Sequence, residues 1–409
     1  LHTGHAQKGR HMNKEVFQAL RRGLMDRLDL ARELSDQEIL DEIDQLILSG
    51  TPEVCLSLKE KVELRQELFH SVRKLDVLQE LIEDETVTEI MVNGPDAIFV
   101  ERKGKLKKWD KCFTSREKLE DVIQQIVGRC NRVVNEAMPI ADARLENGAR
   151  VNAVIQPVAL NGPILTIRRF PDTPVTMEKL ISLGSLTREC AEFLAVLVKA
   201  RYSIVIGGGT GSGKTTFLGA LSEYIPSDER IITIEDNAEL KIQGIPNLVQ
   251  LEAKMANVEG ASSITIRDLI KAALRMRPDR IVVGEVRGGE AVDMLQALNT
   301  GHEGSLSTAH ANSARDMLSR LETMTLMGVE LPLEAIRRQI ASGVDILIHL
   351  GRMRDKSRKV LEITEVCGFE DHEIRTRTLY RWKEGEGLIK TAPLLNREKL
   401  IRAGIEVEQ

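Results

Sequence analysis

The stretch Ser203–Leu221, SIVIGGGTGSGKTTFLGAL, decides the fold of the chain around it. It opens with three β-branched residues, Ile204–Ile206, which are typical of a short buried strand. The spacing Gly208-x-x-x-x-Gly213-Lys214-Thr215 follows, and apolar residues then recur at helical intervals, at Phe217, Leu218 and Leu221. The order of strand, glycine-rich loop and helix is the context in which this spacing forms a phosphate-binding loop. The sequence therefore predicts a nucleoside triphosphate site.

The loop chemistry explains this prediction. Glycines at 207–209, 211 and 213 are expected to permit positive φ angles and to turn backbone N–H groups toward an anion. The following helix adds unpaired N–H groups and the positive end of its dipole. Lys214 would reach the β- and γ-phosphates, and the Thr215 hydroxyl would bind Mg²⁺. The predicted nucleotide-binding residues are Gly208, Gly209, Thr210, Gly211, Ser212, Gly213, Lys214, Thr215 and Thr216. The alternative is a glycine-rich turn with no ligand.

Length and composition bound the remaining possibilities. A chain of 409 residues is long enough for two or three domains. The net charge of −5 and the aromatic content of 3% disfavour a nucleic-acid-binding surface. Five scattered cysteines without a Cys-x-x-Cys pair predict neither disulfides nor a zinc site, and favour a reducing compartment. With no membrane-length apolar run and no signal peptide, we expect a cytoplasmic protein.

Changes in sequence pattern predict the domains. Residues 1–12 look like a vector remnant, 13–74 predict a small helical bundle, and 75–170 predict an α+β domain. In that domain, strands at 88–92, 97–101 and 164–170, a helix at 115–130 and a hairpin around Asn147-Gly148 are expected. Prolines in 171–176 predict a linker. Residues 177–409 alternate strand and helix, which predicts an α/β domain with a parallel sheet, followed by a C-terminal extension of charged hairpins and a short helix.

Polar side chains stand where three predicted parallel strands end. The strand at 230–234 leads to Glu235 and Asp236, and the strand at 281–284 leads to Glu285. Ligand chemistry gathers at such ends, so both glutamates could hold Mg²⁺ through water and orient an attacking water. His310 follows a third strand, where it could sense the γ-phosphate. The alternatives are acids that cap the next helix and a histidine with a structural role.

Taken together, these motifs resemble the secretion ATPase superfamily, which drives type II and type IV secretion and type IV pilus assembly. The phosphate loop, Thr233–Asp236, Arg277–Arg287 and Thr300–Ser313 carry the resemblance. It extends over about residues 80–350, and in detail the chain is most similar to CpaF, the motor ATPase of Tad pili.

The resemblance implies a RecA-like ATPase domain, a homohexameric ring and a nucleotide held between the N-terminal and RecA-like domains. It implies that Lys214 and Thr215 are the Walker A pair, Glu235 the Asp-box acid, Glu285 the Walker B glutamate and His310 the His-box residue, with ATP and Mg²⁺ as ligands. Arginines of the N-terminal domain would complete the site, by motif position Arg144, Arg150, Arg168 and Arg169. No cysteine-ligated zinc element is present in the sequence, which disfavours the type II branch.

The expected function is a hexameric Mg²⁺-dependent ATPase, peripheral to the inner membrane, that acts on a membrane platform protein to add or remove pilin subunits. The linker at 171–176 would be the hinge between rigid domains. One alternative is a type IV secretion or conjugation ATPase that moves DNA or protein. A slow nucleotide-binding assembly scaffold is another, and a helicase-like DNA translocase is disfavoured by the acidic balance and few aromatics.

Overall fold

The computed structural model describes residues 17, 19–28, 35–49, 57–102, 104–130, 132–169, 174–254 and 263–405. The predicted vector remnant, and residues 171–173 of the predicted linker, lie outside this part of the chain. Contacts divide the chain into two compact units, the first ending at Pro171 and the second beginning at Asp172.

The first unit begins with helices. Residues 19–27 belong to helix α1, and α2 (Asp36–Ser49) and α3 (Leu58–Arg73) follow. Leu24, Ile43 and Leu68 are fully buried where these helices pack together. A capping box begins α2: the Ser35 hydroxyl accepts from the Glu38 N–H at 3.3 Å, and the Glu38 carboxylate accepts from the Ser35 N–H at 2.8 Å. The predicted helical segment is therefore confirmed in its described part.

A mixed α+β layer completes the first unit. Its elements are α4 (Leu78–Glu83), β1 (Val87–Asn93), β2 (Ile98–Arg102), β3 (Lys105–Lys108), α5 (Arg116–Arg129), β4 (Ile140–Arg144), β5 (Arg150–Val154) and β6 (Ile164–Arg168). The strands form an antiparallel sheet in the order β3-β2-β1-β6-β5-β4. The predicted hairpin around Asn147-Gly148 is present, and the strands predicted at 88–92 and 97–101 pair with each other as β1 and β2. Helix α4 and strand β3 were not predicted. Strand β3 lies exposed at the edge of the sheet, and its sequence has no apolar alternation that would mark it.

The second unit alternates helices and strands. Its elements are α6 (Met177–Ser182), α7 (Arg188–Lys199), β7 (Ile204–Gly208), α8 (Lys214–Ser222), β8 (Ile231–Glu235), β9 (Leu248–Glu252), α9 (Ile266–Ala273), β10 (Arg280–Val286), α10 (Ala291–Asn299), β11 (Leu306–Ala309), α11 (Ala314–Gly328), α12 (Leu333–Gly343), β12 (Ile346–Arg352), β13 (Arg358–Glu370), β14 (Glu373–Lys383), β15 (Gly387–Lys390) and α13 (Glu398–Arg402). The sheet order is β15-β14-β13-β12-β7-β11-β10-β8-β9.

The predicted parallel sheet is confirmed for β12, β7, β11, β10, β8 and β9, which pair in parallel, whereas β13–β15 extend the sheet as antiparallel strands. Every residue of β7 is buried, because hydrophobic cores cover both faces of the sheet. Ile204 and Ile206 pack into one core, and Val205 packs into the other. The carboxyl ends of β7, β11, β10 and β8 consequently lie along one edge of the sheet. The unpredicted β9 is a partly exposed edge strand.

A glycine pair fixes the loop that follows β10. Gly328 ends α11, and a Cβ atom on it would stand 2.2 Å from the carbonyl oxygen of Gly289. Conversely, a Cβ atom on Gly289 would stand 2.8 Å from the Gly328 Cα. The two backbones are in contact, so no side chain fits between them.

We therefore expect Gly328→Ala to lower the unfolding free energy by about 1–3 kcal/mol, the usual cost of overpacking. Gly219→Ala is the matched control, since Gly219 lies in α8 and the nearest atom to its added Cβ would be 3.9 Å away. Alanine there should be neutral or stabilising by up to about 1 kcal/mol. Thermal unfolding of both variants measures this, and equal melting temperatures would contradict the close packing of α11 on the β10 loop.

Candidate nucleotide-binding site

The loop between β7 and α8 uses its glycines for two different reasons. Gly211 and Gly213 have φ angles of 71° and 91°, which favour glycine. Gly207, Gly208 and Gly209 do not adopt positive φ, so the expected reason for glycine at these three positions is wrong. Close packing favours glycine at two of them instead: an added Cβ atom on Gly207 would stand 2.1 Å from the Met317 Cε, and one on Gly208 would stand 2.7 Å from the carbonyl oxygen of Leu350. An added Cβ atom on Gly209 would meet no atom within 4 Å.

Lys214 lies buried at the first position of α8. Its Nζ donates to the carbonyl oxygens of Gly208 at 3.2 Å and Gly209 at 3.4 Å, and lies 3.6 Å from the Glu285 Oε1. Burial lowers the pKa of Lys214, and the Glu285 carboxylate opposes that shift. The ammonium group is therefore held at the mouth of the loop, where backbone N–H groups at the start of α8 also favour an anion.

Glu285 is surrounded by cationic and imidazole groups. Its Oε1 lies 2.9 Å from the His310 Nε2, and its Oε2 accepts from the Arg287 Nε at 2.7 Å and also pairs with the Arg287 Nη2. The Arg287 Nη1 lies 3.4 Å from Asp236, so this guanidinium joins the ends of β8 and β10. The predicted acid thus lies directly beside Lys214.

His310 follows β11 and contacts both partners. Its Nδ1 is 3.3 Å from the Lys214 Nζ, while its Nε2 faces Glu285. Burial lowers the pKa of His310, with Glu285 opposing the shift, so the imidazole is neutral at neutral pH. A proton on Nε2 would let the ring accept from Lys214 and donate to Glu285. Position in the sequence left a structural role open, and the structure places this histidine inside the cluster.

Glu235 ends β8 as a buried carboxyl. Its Oε1 accepts from the backbone N–H groups of Glu239 and Leu240, each at 3.0 Å. Burial raises the pKa of Glu235 to about 7, and these two donors oppose the shift. A Cβ atom on Gly284 would stand 2.8 Å from the Glu235 Cγ, so glycine at this position lets the carboxyl lie against β10. Glu235 thus lies against Gly284, the residue that precedes Glu285 in β10.

A cleft opens beside this cluster. It has a volume of about 560 Å³ and is lined by Gly209, His310, Ala311, Asn312, Asp316, Ser319, Arg320 and Thr323. The lining combines the phosphate loop with the first three turns of α11 and the residues just before that helix. The cleft provides space for a ligand directly next to Lys214 and His310.

The donor set fits a nucleotide that brings its own metal ion. Within the described residues the Ser212 Oγ is buried without a hydrogen-bond partner, and the Glu285 Oε1 faces the His310 Nε2 and the Lys214 Nζ. Among the residues that the structure describes, no group of three or more His, Cys, Asp or Glu side chains could hold a metal. Mg²⁺ usually takes one or two protein ligands together with phosphates and water. Thr215, Glu235 and Glu285 are the residues that could hold it, directly or through water.

The four arginines predicted to complete the site lie in the first unit. Arg144, Arg150 and Arg168 are cross-strand neighbours in β4, β5 and β6. The next residues in register, Ala143, Val151 and Ile167, are buried in the core, so the arginine row lies on the opposite face. Arg169 instead donates to the carbonyl oxygen of Asp84 at 2.5 Å. That these arginines complete the nucleotide site stays a prediction.

Two arginines of the second unit, Arg287 and Arg358, contact the site although no role was predicted for them. Arg287 stands next to the Walker-type acid, and its sequence position was a usable signal for a partner of Glu285. Arg358, at the start of β13, donates from Nε to the carbonyl oxygen of Gly211 at 2.9 Å. No motif marks Arg358, because this contact joins residues 147 positions apart.

Comparisons with known proteins agree with this geometry. Residues 72–385 match the family model described as type II/IV secretion system protein. A putative conjugal transfer protein of Mycobacterium tuberculosis is 36% identical over 326 residues, which cover 78% of this chain and 91% of the relative. The type IV secretion system protein VirB11 of Brucella suis is 33% identical, over 68% of this chain and 84% of its own length. The X-ray structure of the Legionella pneumophila ATPase DotB matches 72% of this chain and 80% of its own, with a TM-score of 0.50 and 22% identity, and supports the fold.

The chain belongs to the type II/IV secretion system protein family, and its fold is that of the secretion ATPases. The predicted superfamily and fold class are thus confirmed, whereas the CpaF branch stays a prediction. In the described part of the chain, no helix is both long enough and apolar enough to span a membrane.

The Glu235 environment predicts a pH-dependent stability. Its folded pKa of about 7 lies above the ordinary 4.5, so the folded state favours the protonated carboxyl. The resulting stabilisation is fully present below pH 4.5 and is lost as the pH rises through 7. The neutral amide of Glu235→Gln should not show this loss. The unfolding free energy of this variant relative to wild type should therefore increase by up to about 3 kcal/mol between pH 5 and pH 7.5.

Melting temperatures of the two proteins at both pH values provide the measurement. The control is Glu384→Gln, at an exposed position. A difference between Glu235→Gln and wild type that stays constant with pH would contradict the assignment of a buried, protonated Glu235.

Proposed function

We propose that this protein is a Mg²⁺-dependent ATPase motor that couples hydrolysis to domain motion in a secretion or pilus machine. The observation that carries the proposal is the cluster at the mouth of the phosphate loop, in which Lys214, Glu285 and His310 are within 3.6 Å of one another. A lysine, an acid and a neutral imidazole at the end of parallel strands are the groups that phosphoryl transfer requires for positioning and charge stabilisation.

Each side chain has a distinct role in this proposal. Lys214 leaves the carbonyl oxygens of Gly208 and Gly209 and pairs with the β- and γ-phosphates. Glu285 accepts a hydrogen bond from the attacking water and orients it. His310, which contacts both residues, reports whether the γ-phosphate is present. When bound, Mg²⁺ neutralises charge on the phosphates, with Thr215, Glu235 and Glu285 as its protein neighbours.

The placement of three arginines supports a ring. Arg144, Arg150 and Arg168 lie side by side in register, where like charges repel one another, and an anion near the row would add to the compensation that Asp142 and Glu89 provide. We infer that this row meets the nucleotide in a homohexamer, as the family resemblance implies. The linker at 171–176 would be the hinge, and hydrolysis would change the arrangement of the two units.

We propose a cytoplasmic protein that docks on an inner-membrane platform protein and drives the addition or removal of pilin subunits in a Tad or type IV-like pilus. A second candidate is a motor of type IV secretion, because the relatives at 36% and 33% identity are named as conjugal transfer and VirB11 proteins. Deleting the gene separates the two: loss of surface pili supports the first, and loss of DNA or protein transfer with intact pili supports the second.

Lys214→Ala should lower the steady-state rate of ATP hydrolysis by about 100-fold or more, because the phosphates lose their only cationic partner in the Walker motif. Lys390→Ala, an exposed substitution in β15, is the control for the loss of one positive charge. Release of phosphate is measured at saturating ATP and Mg²⁺. Near-normal turnover by the Lys214 variant would refute the site, and negligible turnover by wild type would favour the slow scaffold.

Glu285→Gln should separate hydrolysis from binding. The amide retains the shape of the side chain but orients water poorly, so hydrolysis should fall about 100-fold or more while ATP affinity stays within a few-fold of wild type. This variant should therefore accumulate as an ATP-bound ring, which native mass spectrometry would show as hexamers. A monomer under these conditions would argue against the hexamer, and unchanged hydrolysis would argue against the role of Glu285.

A further inference from the structure

A basic hairpin lies next to the phosphate-binding loop. The segment 351–359, GRMRDKSRK, joins β12 to β13 and carries five cationic side chains and one acid. Two of them face each other, since Arg352 of β12 and Arg358 of β13 are paired in register. Like charges in this arrangement repel, so the hairpin concentrates positive charge at some cost in stability.

The hairpin is attached to the loop through neighbouring strands. β12 pairs in parallel with β7, and Leu350 stands opposite Gly208 in that register. A Cβ atom on Gly208 would lie 2.7 Å from the carbonyl oxygen of Leu350, so the two backbones are in close contact. The base of the hairpin is therefore fixed relative to the first glycine of the loop.

Arg358 makes a second, direct connection. Its Nε donates to the carbonyl oxygen of Gly211 at 2.9 Å, and its Cδ would lie 3.1 Å from a Cβ atom on Gly213. Both of these glycines have positive φ angles. Arg358 thus contacts the two loop positions with positive φ angles, a conformation that favours glycine.

A bond to the Gly211 carbonyl oxygen has a consequence for the rest of the loop. The bond restrains the peptide group between Gly211 and Ser212, whose N–H donates to the carbonyl oxygen of Gly209 at 3.3 Å, so this peptide group is held at both its carbonyl and its N–H. The loop would otherwise have to adopt this conformation when the ligand arrives, and the ordering would weaken binding. Hydrogen bonds from a charged donor are among the stronger ones, so a single arginine can supply this restraint.

We propose that Arg358 is a positioning residue that holds the phosphate-binding loop in its anion-binding conformation. This inference rests on the proposed nucleotide site and adds a part of the chain that lies outside the Walker-type motifs. Arg358 acts through the loop backbone, so its loss should weaken nucleotide binding and leave the catalytic step at saturating ATP nearly intact.

The test compares ATP binding and turnover in variants of the full chain. Arg358→Ala should raise both the Kd for ATP and the KM about tenfold, while kcat stays within about twofold. Arg358→Lys, which retains a charged N–H donor, should recover most of the affinity. Arg354→Ala removes the same charge from the exposed turn of the same hairpin and should bind ATP like wild type.

The outcomes are distinct. If Arg358→Ala binds ATP like wild type, or if its kcat falls with KM unchanged, the positioning role is wrong. Equal weakening by Arg354→Ala would assign the effect to the summed charge of the hairpin and would also overturn the proposal. A wild-type protein that binds no ATP would instead refute the proposed function itself. Matching melting temperatures show that the variants are folded, and Arg358→Gln replaces Arg358→Ala if alanine prevents folding.

Discussion

The contact of Lys214 with Glu285 and His310 is the constraint on which the rest of the second unit depends. It places an ammonium, a carboxylate and an imidazole within 3.6 Å of one another, with the ammonium and the carboxylate largely buried and the imidazole partly exposed. In such surroundings an unpaired charge is costly, so each group must be supported by another. The loop carbonyl oxygens support Lys214, and Arg287 supports Glu285. A polyphosphate can replace part of this network, because it offers Lys214 stronger acceptors than backbone carbonyl oxygens.

Backbone packing holds these side chains in place. Glycines at 207, 208 and 284 allow Met317, Leu350 and Glu235 to approach the sheet edge closely, and the Gly289–Gly328 contact fixes the loop after β10. A side chain at position 208, 289 or 328 would press on a neighbouring backbone, whereas one at 207 or 284 would displace the side chain of Met317 or Glu235. The site is therefore built from rigid strand ends and helix starts, with the hairpin between β12 and β13 bonded to its one exposed loop.

Charge and burial also separate the two acids. Glu285 lies among cations, whereas Glu235 is bonded to backbone N–H groups and burial raises its pKa to about 7. Two carboxylates on neighbouring strands would repel if both were ionised without a cation between them. Their different surroundings remove that conflict, and a bound divalent cation would favour the ionised form of both. Binding of such a cation would thus shift Glu235 from its protonated form to its ionised form.

The sequence alone determined the phosphate loop, the parallel sheet and both acids, because these depend on local spacing: a glycine pattern between a β-branched run and a helical one, and acids placed directly after apolar strands. It could not determine the strand order, which depends on how helices pack over both faces. The tertiary structure alone placed β11 between β7 and β10 and so brought His310 between Lys214 and Glu285. It alone brought Arg358 to Gly211 across 147 residues. Such contacts leave no periodic signal in a sequence, since they arise from the pairing of strands that are far apart in the chain rather than from neighbouring residues.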